Sequence, residues 1–237
     1  MIDTAGLWRR AVRPREGFAE LAAAPPALGA SILRMFALRL PVAWLAWAIA
    51  VLKLSFAYAA FRGMDGFVWK LLLPRLSTVS PDLRVEELKA FLDQLPNLPP
   101  VATLLAWGLL AAPLGLVGLW IHDAVWDHGC LWLLGGLKGG RPFRTTLLAE
   151  SEAFSVGVIG ALAALLGDLP VVGLLLGLPL LLVGLYFWVL RGFALAAFHG
   201  IPLWKGIGAT LLHIVLAGCC VAALLGLVGV VFLLPVA

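Results

Sequence analysis

The polar residues that could do chemistry are concentrated between Trp120 and Glu152, in the sequence WIHDAVWDHGCLWLLGGLKGGRPFRTTLLAESE. This stretch holds two of the four histidines and four of the thirteen acidic residues. Asp123 and Asp127 are four residues apart, so they share a face if the second span continues as a helix. Carboxylates and imidazoles close together can bind a divalent cation or act as an acid/base pair. The candidate ligands for such an ion are Asp123, Asp127, His128 and Glu150.

No known motif supports that chemistry. The sequence has no HExxH pair, no EF-hand loop and no Cys/His tetrad. The glycines around Lys138 are followed by Arg141-Pro142, not by the Lys-Ser/Thr of a phosphate-binding loop. We therefore expect no metal, no cofactor and no catalytic residue. The simpler interpretation of these acids is a loop at a helix end, where the chain leaves the membrane and solvent returns.

The elements that must position these residues are membrane helices. Of the 237 residues, 62% are hydrophobic and only 13% are charged, whereas soluble domains carry about a quarter charged residues. Several runs exceed the roughly 18 apolar residues that mark a membrane span. We predict an all-α, polytopic helical membrane bundle with five transmembrane helices. The predicted segments are an amphipathic lead-in at 1–31, spans at 32–61, 101–121, 154–169, 171–193 and 206–234, and an extracytoplasmic helical hairpin at 62–100.

The basic residues predict the topology. They cluster in the lead-in, between Lys138 and Arg144, and at Arg191 and Lys205, which all lie on one side of a five-span chain. The positive-inside rule then places the N-terminus in the cytoplasm and the C-terminus outside. Anionic lipid headgroups on the cytoplasmic side are the expected partners. Nucleic acid is not, since no basic groove with interleaved aromatic residues is present. The Ala-, Leu-, Gly- and Arg-rich composition indicates a bacterial inner-membrane protein.

Two groups of residues inside the spans have more than one interpretation. Because intramembrane charges are often functional, four residues are candidates for a polar path or contact surface: Lys53, Asp123, Glu150 and His199. An alternative for Lys53 is that its amine extends to the membrane surface. His213 is expected to hydrogen-bond to a neighbouring helix. The spacing of small residues predicts close helix packing, within the chain or in a homo-oligomer or membrane-protein complex. These packing residues are Gly173, Gly177 and Gly184.

Residues 110–220 resemble the Yip family, which are Ypt-interacting, five-span membrane proteins with bacterial relatives. The resemblance is carried by His128 with LWLLGGLKGGRPFRTTLLAES and by a span that ends in Phe198-His199-Gly200, followed by Lys205 at the start of the last span. Pro14, Phe18 and Leu21 add a looser match. The resemblance implies five spans and a cytoplasmic N-terminus. The link of eukaryotic members to small GTPases and vesicles is not carried over, because we find no counterpart of their long cytoplasmic domain.

Three functions follow as hypotheses. The first is a non-enzymatic, membrane-organising protein of the Yip type that binds lipids or partner proteins. The second is a transporter or lipid-moving protein with a polar path between the helices. The third is a membrane enzyme that uses the Asp/His/Glu cluster. Convergence of Asp123, Asp127, Glu150 and His199 in space would favour the second or third.

Overall fold

The computed structural model describes residues 3–63, 97–137, 139–168 and 170–233. These residues form helices and no strands. The helices are α1 (Thr4–Val12), α2 (Pro14–Ala23), α3 (Leu28–Gly63), α4 (Val101–Leu133), α5 (Phe143–Val156), α6 (Val158–Gly167), α7 (Pro170–His199) and α8 (Leu203–Leu233). Most of the predicted extracytoplasmic hairpin at 62–100 lies outside the described residues.

The chain is a multi-pass helical membrane protein. In the described part, α3, α4, α7 and α8 are each long and apolar enough to cross a membrane. The consecutive helices α5 and α6 are bent by 47° and would form a fifth span if taken together. Large apolar side chains such as Leu174, Leu175 and Leu178 remain exposed on α7. An apolar outer surface is expected where hydrocarbon chains, and not water, surround the helices.

The helices extend beyond the predicted spans. The second helix continues to Leu133 instead of ending near residue 121, and the third begins at Phe143. Among its described residues, the predicted loop between Trp120 and Glu152 is therefore helical except at 134–137 and 139–142. The predicted spans end where the apolar runs end, whereas the backbone hydrogen bonds of the helices continue into the polar residues that follow.

The chain divides into two compact units, Met1–Ala43 with Pro113–Ala237 and Trp44–Ala112. In the larger unit α7 is the central helix, since α2, α5, α6 and α8 all pack against it. The end of α7 is set by Gly200, whose φ of 65° suits glycine. The Ile201 amide donates to the Ala196 carbonyl at 3.0 Å, which closes the Schellman turn that ends such helices. Gly135, with a φ of 63°, ends α4 in the same way.

The lead-in helices fold back onto this unit. α1 packs against α2 and α5, and α2 packs against α7. Phe18 is fully buried, and the Tyr186 hydroxyl of α7 donates to the Ala11 carbonyl at 2.5 Å. Pro14 occupies the first turn of α2, where its missing amide proton costs no helical hydrogen bond. The lead-in is thus part of the packed bundle.

In the smaller unit, the indole Nε1 of Trp47 donates to the Leu104 carbonyl at 2.8 Å. A Cβ on Gly108 would lie 2.3 Å from the same indole ring, so the glycine lets the ring lie against α4. Lys53 belongs to this unit and its side chain is exposed.

Candidate functional site

One guanidinium inside the bundle pairs with three carboxylates. Arg191 of α7 donates from Nη1 to Asp123 Oδ2 at 2.8 Å, from Nη2 to Asp127 Oδ2 at 2.8 Å and from Nε to Glu150 Oε2 at 3.0 Å. All four residues are buried. The planar fork of arginine, with its fixed donor directions, suits this arrangement, which a lysine could not reproduce. These residues together with His213 are called the Arg191 cluster below.

Local helix geometry explains how the cluster assembles. Asp123 and Asp127 are one turn apart on α4 and therefore project from the same face. Glu150 reaches the same point from α5. On α7 the ring of Trp188 lies one turn before Arg191, with the guanidinium carbon 4.5 Å from the ring centroid. This cation–π contact adds an apolar support to the charged group.

His213 of α8 completes the cluster. Its Nδ1 lies 2.8 Å from Asp127 Oδ1, so one carboxylate bridges the imidazole and the guanidinium. The imidazole is nearly parallel to the ring of Trp126, at 5.9 Å between centroids, and meets the edge of Trp188. The expectation that His213 would hydrogen-bond to a neighbouring helix is confirmed.

The cluster lies well inside the bundle, away from the ends of its helices. Asp123 is ten residues before the end of α4, Arg191 eight before the end of α7, and His213 ten after the start of α8. At 1.5 Å per residue, each lies about 12–15 Å from the same end of the bundle. Charged groups that are buried away from water are costly unless they are paired. Three carboxylates around one guanidinium carry an excess of negative charge when all are ionised and the imidazole is neutral.

A cavity of about 480 Å³ borders the cluster. Its polar end is formed by Arg39, His122, Asp123, Arg191 and His213. Its remaining wall is largely apolar and is formed by residues that include Leu119, Phe154, Phe187, Trp188, Ile214 and Ala217. The volume falls within the range of about 300–1,000 Å³ that is typical of small-molecule sites. A cavity with one polar end and apolar walls is suited to an amphipathic ligand.

Glu152 forms a second buried cluster, with residues from α3. Its carboxylate accepts hydrogen bonds from the Ser31 hydroxyl and, at 3.1 Å, from Arg34 Nη1. Arg10 of α1 is also buried, and its Nε and Nη2 have no hydrogen-bond partner among the described residues. Burial lowers the pKa of Arg10, and the nearby charge of Glu152 opposes that shift. Arg10 therefore lies near Glu152 in the region where α1 packs against α5.

A third group joins the helix ends. The Thr146 hydroxyl lies 2.7 Å from His128 Nδ1 and 3.0 Å from His199 Nε2, and thereby links α4, α5 and α7. Nearby, Lys205 Nζ donates to the Gly135 carbonyl at 2.9 Å, which ties the start of α8 to the end of α4. Several residues that carry the family resemblance therefore form contacts between helix ends.

The interpretation of the acids as groups returning to solvent is wrong. Asp123, Asp127, Glu150 and Glu152 are all buried, with at most 5% of their surface exposed. Three of them converge on Arg191, for which the sequence predicts only a charge on the cytoplasmic side. Because charges taken out of water must be paired, these acids meet basic residues instead of solvent.

The predicted residue sets come together only in part. Asp123 and Glu150 share Arg191, but His199 belongs to the Thr146 contact and Lys53 to the smaller unit. Of the candidate metal ligands, His128 bonds to Thr146 and Glu150 bonds to Arg191. The described residues with metal-ligating geometry are instead His122, Asp123 and His213.

Within the described residues, the predicted glycine packing is seen at Gly173 only, and packing of Gly177 and Gly184 against another chain stays a prediction. A Cβ on Gly173 would lie 2.3 Å from the Gly167 carbonyl oxygen, so Gly173 does allow a close approach. At Gly177 and Gly184 a Cβ would meet no described atom within 4 Å, and Gly184 lines the cavity. The tight crossing of α7 and α8 occurs at Gly192, with Gly206 opposite. The sequence signal for it was the small-residue spacing of Gly192 and Ala196.

No protein-family model, curated protein or solved structure matches this chain.

Proposed function

We propose that this chain is a non-enzymatic, membrane-organising protein of the Yip type that binds a membrane lipid in the cavity between its helices. The cavity carries the proposal, because its polar end and apolar walls match the two parts of a lipid. The headgroup would meet Arg39, His122 and Asp123, and the acyl chain would lie along Phe154 and Phe187. Pockets that bind ligands tightly typically combine apolar walls with a few such polar groups.

The proposed location and orientation rest on the distribution of basic residues. In this proposal the protein lies in the inner membrane of a bacterium, with the N-terminus and the segment between α4 and α5 in the cytoplasm. The lead-in supports this orientation, since Arg9, Arg13 and Arg15 are exposed there and can contact anionic headgroups. A homo-oligomer or a membrane-protein partner could use the exposed apolar face of α7.

Filling the cavity tests the proposal. Gly184 lines the cavity, and a Cβ there meets no described atom within 4 Å, so Gly184→Leu adds volume without a backbone clash. Gly177→Leu is the matched control: it is two helical turns earlier on α7, is equally unobstructed and does not line the cavity. Lipid retained by the purified protein would be identified and counted by native mass spectrometry. We expect Gly184→Leu to retain at least tenfold less lipid than the control.

Two outcomes oppose lipid binding at this place. Equal lipid retention by the Gly184→Leu and Gly177→Leu proteins would show that bound lipid lies elsewhere. A wild-type protein that carries no lipid through gentle purification, and binds none when lipid is added back, would overturn the proposal itself.

Transport is the second candidate, and the buried Arg191 cluster favours it. Ionisable residues inside transporters commonly mark the path of an ion or proton. Flux across vesicles that contain only the purified protein would support transport over static lipid binding. The lipid count above does not depend on that measurement.

A further inference from the structure

Two histidines and one aspartate converge at the polar end of the cavity. His122 Nδ1 lies 3.1 Å from Asp123 Oδ1, and His213 Nε2 lies 4.0 Å from the same oxygen. One ligand atom from each of the three residues lies within 4.8 Å of the others. The residues come from α4 and α8, and all three line the cavity. Two imidazoles and a carboxylate form a donor set that zinc and related ions commonly use.

Neighbouring residues orient His213 and Asp123 in the way that ligands are oriented in metal sites. Asp127 Oδ1 bonds to His213 Nδ1 at 2.8 Å, which leaves Nε2 as the free nitrogen on the side of Asp123. Metal-bound histidines usually have such a carboxylate on their other nitrogen, and it fixes the tautomer and ring orientation. Arg191 Nη1 bonds to Asp123 Oδ2, so the other oxygen of Asp123 remains available. The parallel ring of Trp126 limits rotation of the His213 side chain.

The charge of the neighbourhood favours a cation. Asp123, Asp127 and Glu150 share the Arg191 guanidinium, and Arg39 is a second cation at this end of the cavity, so one carboxylate is in excess when all three are ionised. A divalent ion on Asp123 and the two imidazoles would offset that excess. Calcium and magnesium prefer sites made of oxygen ligands, whereas imidazole ligands favour first-row transition metals.

We propose that His122, Asp123 and His213 form a binding site for a divalent transition-metal ion of the zinc class. Tetrahedral coordination with bonds of about 2.0–2.1 Å separates ligand atoms by about 3.3–3.4 Å. The contact between His122 and Asp123 is already near that value, and the other distances among the three ligand atoms have to shorten by at most about 1.5 Å. Three protein ligands leave a fourth position for water or a lipid oxygen. The site does not depend on lipid binding.

The test uses the full chain, purified in detergent without a histidine tag and treated with a chelator. Zn²⁺ binding would be measured by calorimetry and by elemental analysis after gel filtration, and Co²⁺ would report the coordination geometry through its visible absorption. We expect one ion per chain. His122→Ala should weaken binding at least 100-fold without unfolding the protein, because the side chain of His122 is 50% exposed. Asp127→Asn should weaken binding by about 10–100-fold, as changes to residues behind a ligand do.

His128→Ala is the matched control, since His128 lies on the same helix but bonds to Thr146 outside the cluster. We expect this variant to bind Zn²⁺ like the wild type. Equal losses in His122→Ala and His128→Ala, or unchanged binding in His122→Ala, would overturn the proposal. So would a wild-type protein that retains less than about one ion per ten chains at micromolar free Zn²⁺, a level at which sites of this ligand number are occupied.

Discussion

Removal of the Arg191 guanidinium should cost more stability than any other single charge change in the described part of the chain. Arg191→Met keeps the length of the side chain but leaves Asp123, Asp127 and Glu150 buried without their shared cation. Removal of one partner of a buried ion pair typically costs about 3–5 kcal/mol of unfolding free energy. Because three carboxylates lose their partner at once, we expect the upper end, about 5 kcal/mol. For a chain of this size that corresponds to a fall of about 10–20 °C in Tm.

An exposed ion pair provides the control. Arg9 Nη2 lies 2.7 Å from Glu20 Oε1, with both side chains about half exposed. Exposed pairs contribute at most about 1 kcal/mol, so Arg9→Met should lower Tm by no more than about 4 °C. The two variants remove the same chemical group at similar distances from a carboxylate. The difference between them therefore measures the effect of burial.

A buried thiol can serve as the reporter. Cys130 is 1% exposed, whereas Cys219 and Cys220 are exposed on α8. In a background with serine at positions 219 and 220, a thiol-reactive dye would label Cys130 only as the core opens. Melting curves of wild type, Arg191→Met and Arg9→Met in the same detergent then give the three Tm values.

Neutralising the carboxylates should restore part of the loss. Arg191→Met combined with Asp127→Asn and Glu150→Gln removes two of the uncompensated charges and keeps the side-chain shapes. We expect this triple variant to recover at least half of the lost Tm. The electrostatic account of the cluster would be refuted if Arg191→Met were no less stable than Arg9→Met. It would also be refuted if the triple variant were no more stable than Arg191→Met alone.

Two further changes test contacts between helices. Thr146→Val removes the hydroxyl shared by two histidines and should cost about 1–3 kcal/mol in the same melting assay, while Thr145→Val should change Tm by less than half as much. Gly206→Ala places a Cβ 2.2 Å from the Gly192 carbonyl oxygen and should destabilise by about 1–3 kcal/mol. Gly218→Ala, on the same helix with no described atom within 4 Å, should be neutral or slightly stabilising. Equal melting points within either pair would contradict the assigned contacts.

The fold class could be predicted from the sequence because hydrocarbon allows few structures. Every backbone N–H and C=O group inside the membrane must be hydrogen-bonded within the protein, so a long apolar run is almost always a helix. The helix ends were harder to predict, because hydropathy falls before helical hydrogen bonding stops. The continuation of α4 from residue 121 to Leu133 carries Asp123 and Asp127, and this added length changes a presumed solvent loop into a buried site.

Only part of the Arg191 cluster could be predicted from the sequence. The four-residue spacing of Asp123 and Asp127 correctly predicts a shared helix face, and that much needs no tertiary information. Arg191 and His213 lie 64 and 86 residues from Asp127, and nothing local indicates that they meet it. A signal was present, since an arginine eight residues inside an apolar helix needs a buried partner and acidic residues are few.

The two histidines beside Asp123 differ in burial, so their variants can distinguish a structural role of the cluster from metal binding. His213 is buried and bonded to Asp127, so its loss would lower stability whatever else it does. His122 is half exposed, and its contact with the neighbouring Asp123 closes no long-range link between helices, so its ring contacts with Trp126 and His213 are what it adds to packing. An exposed polar ring of this kind contributes little to folding, yet it faces a cavity beside excess negative charge. His122→Ala should therefore leave Tm within about 2 °C of wild type while metal binding falls, whereas Arg191→Met should lower Tm first. If His122→Ala lowered Tm as much as Arg191→Met, the cluster would be a structural network alone.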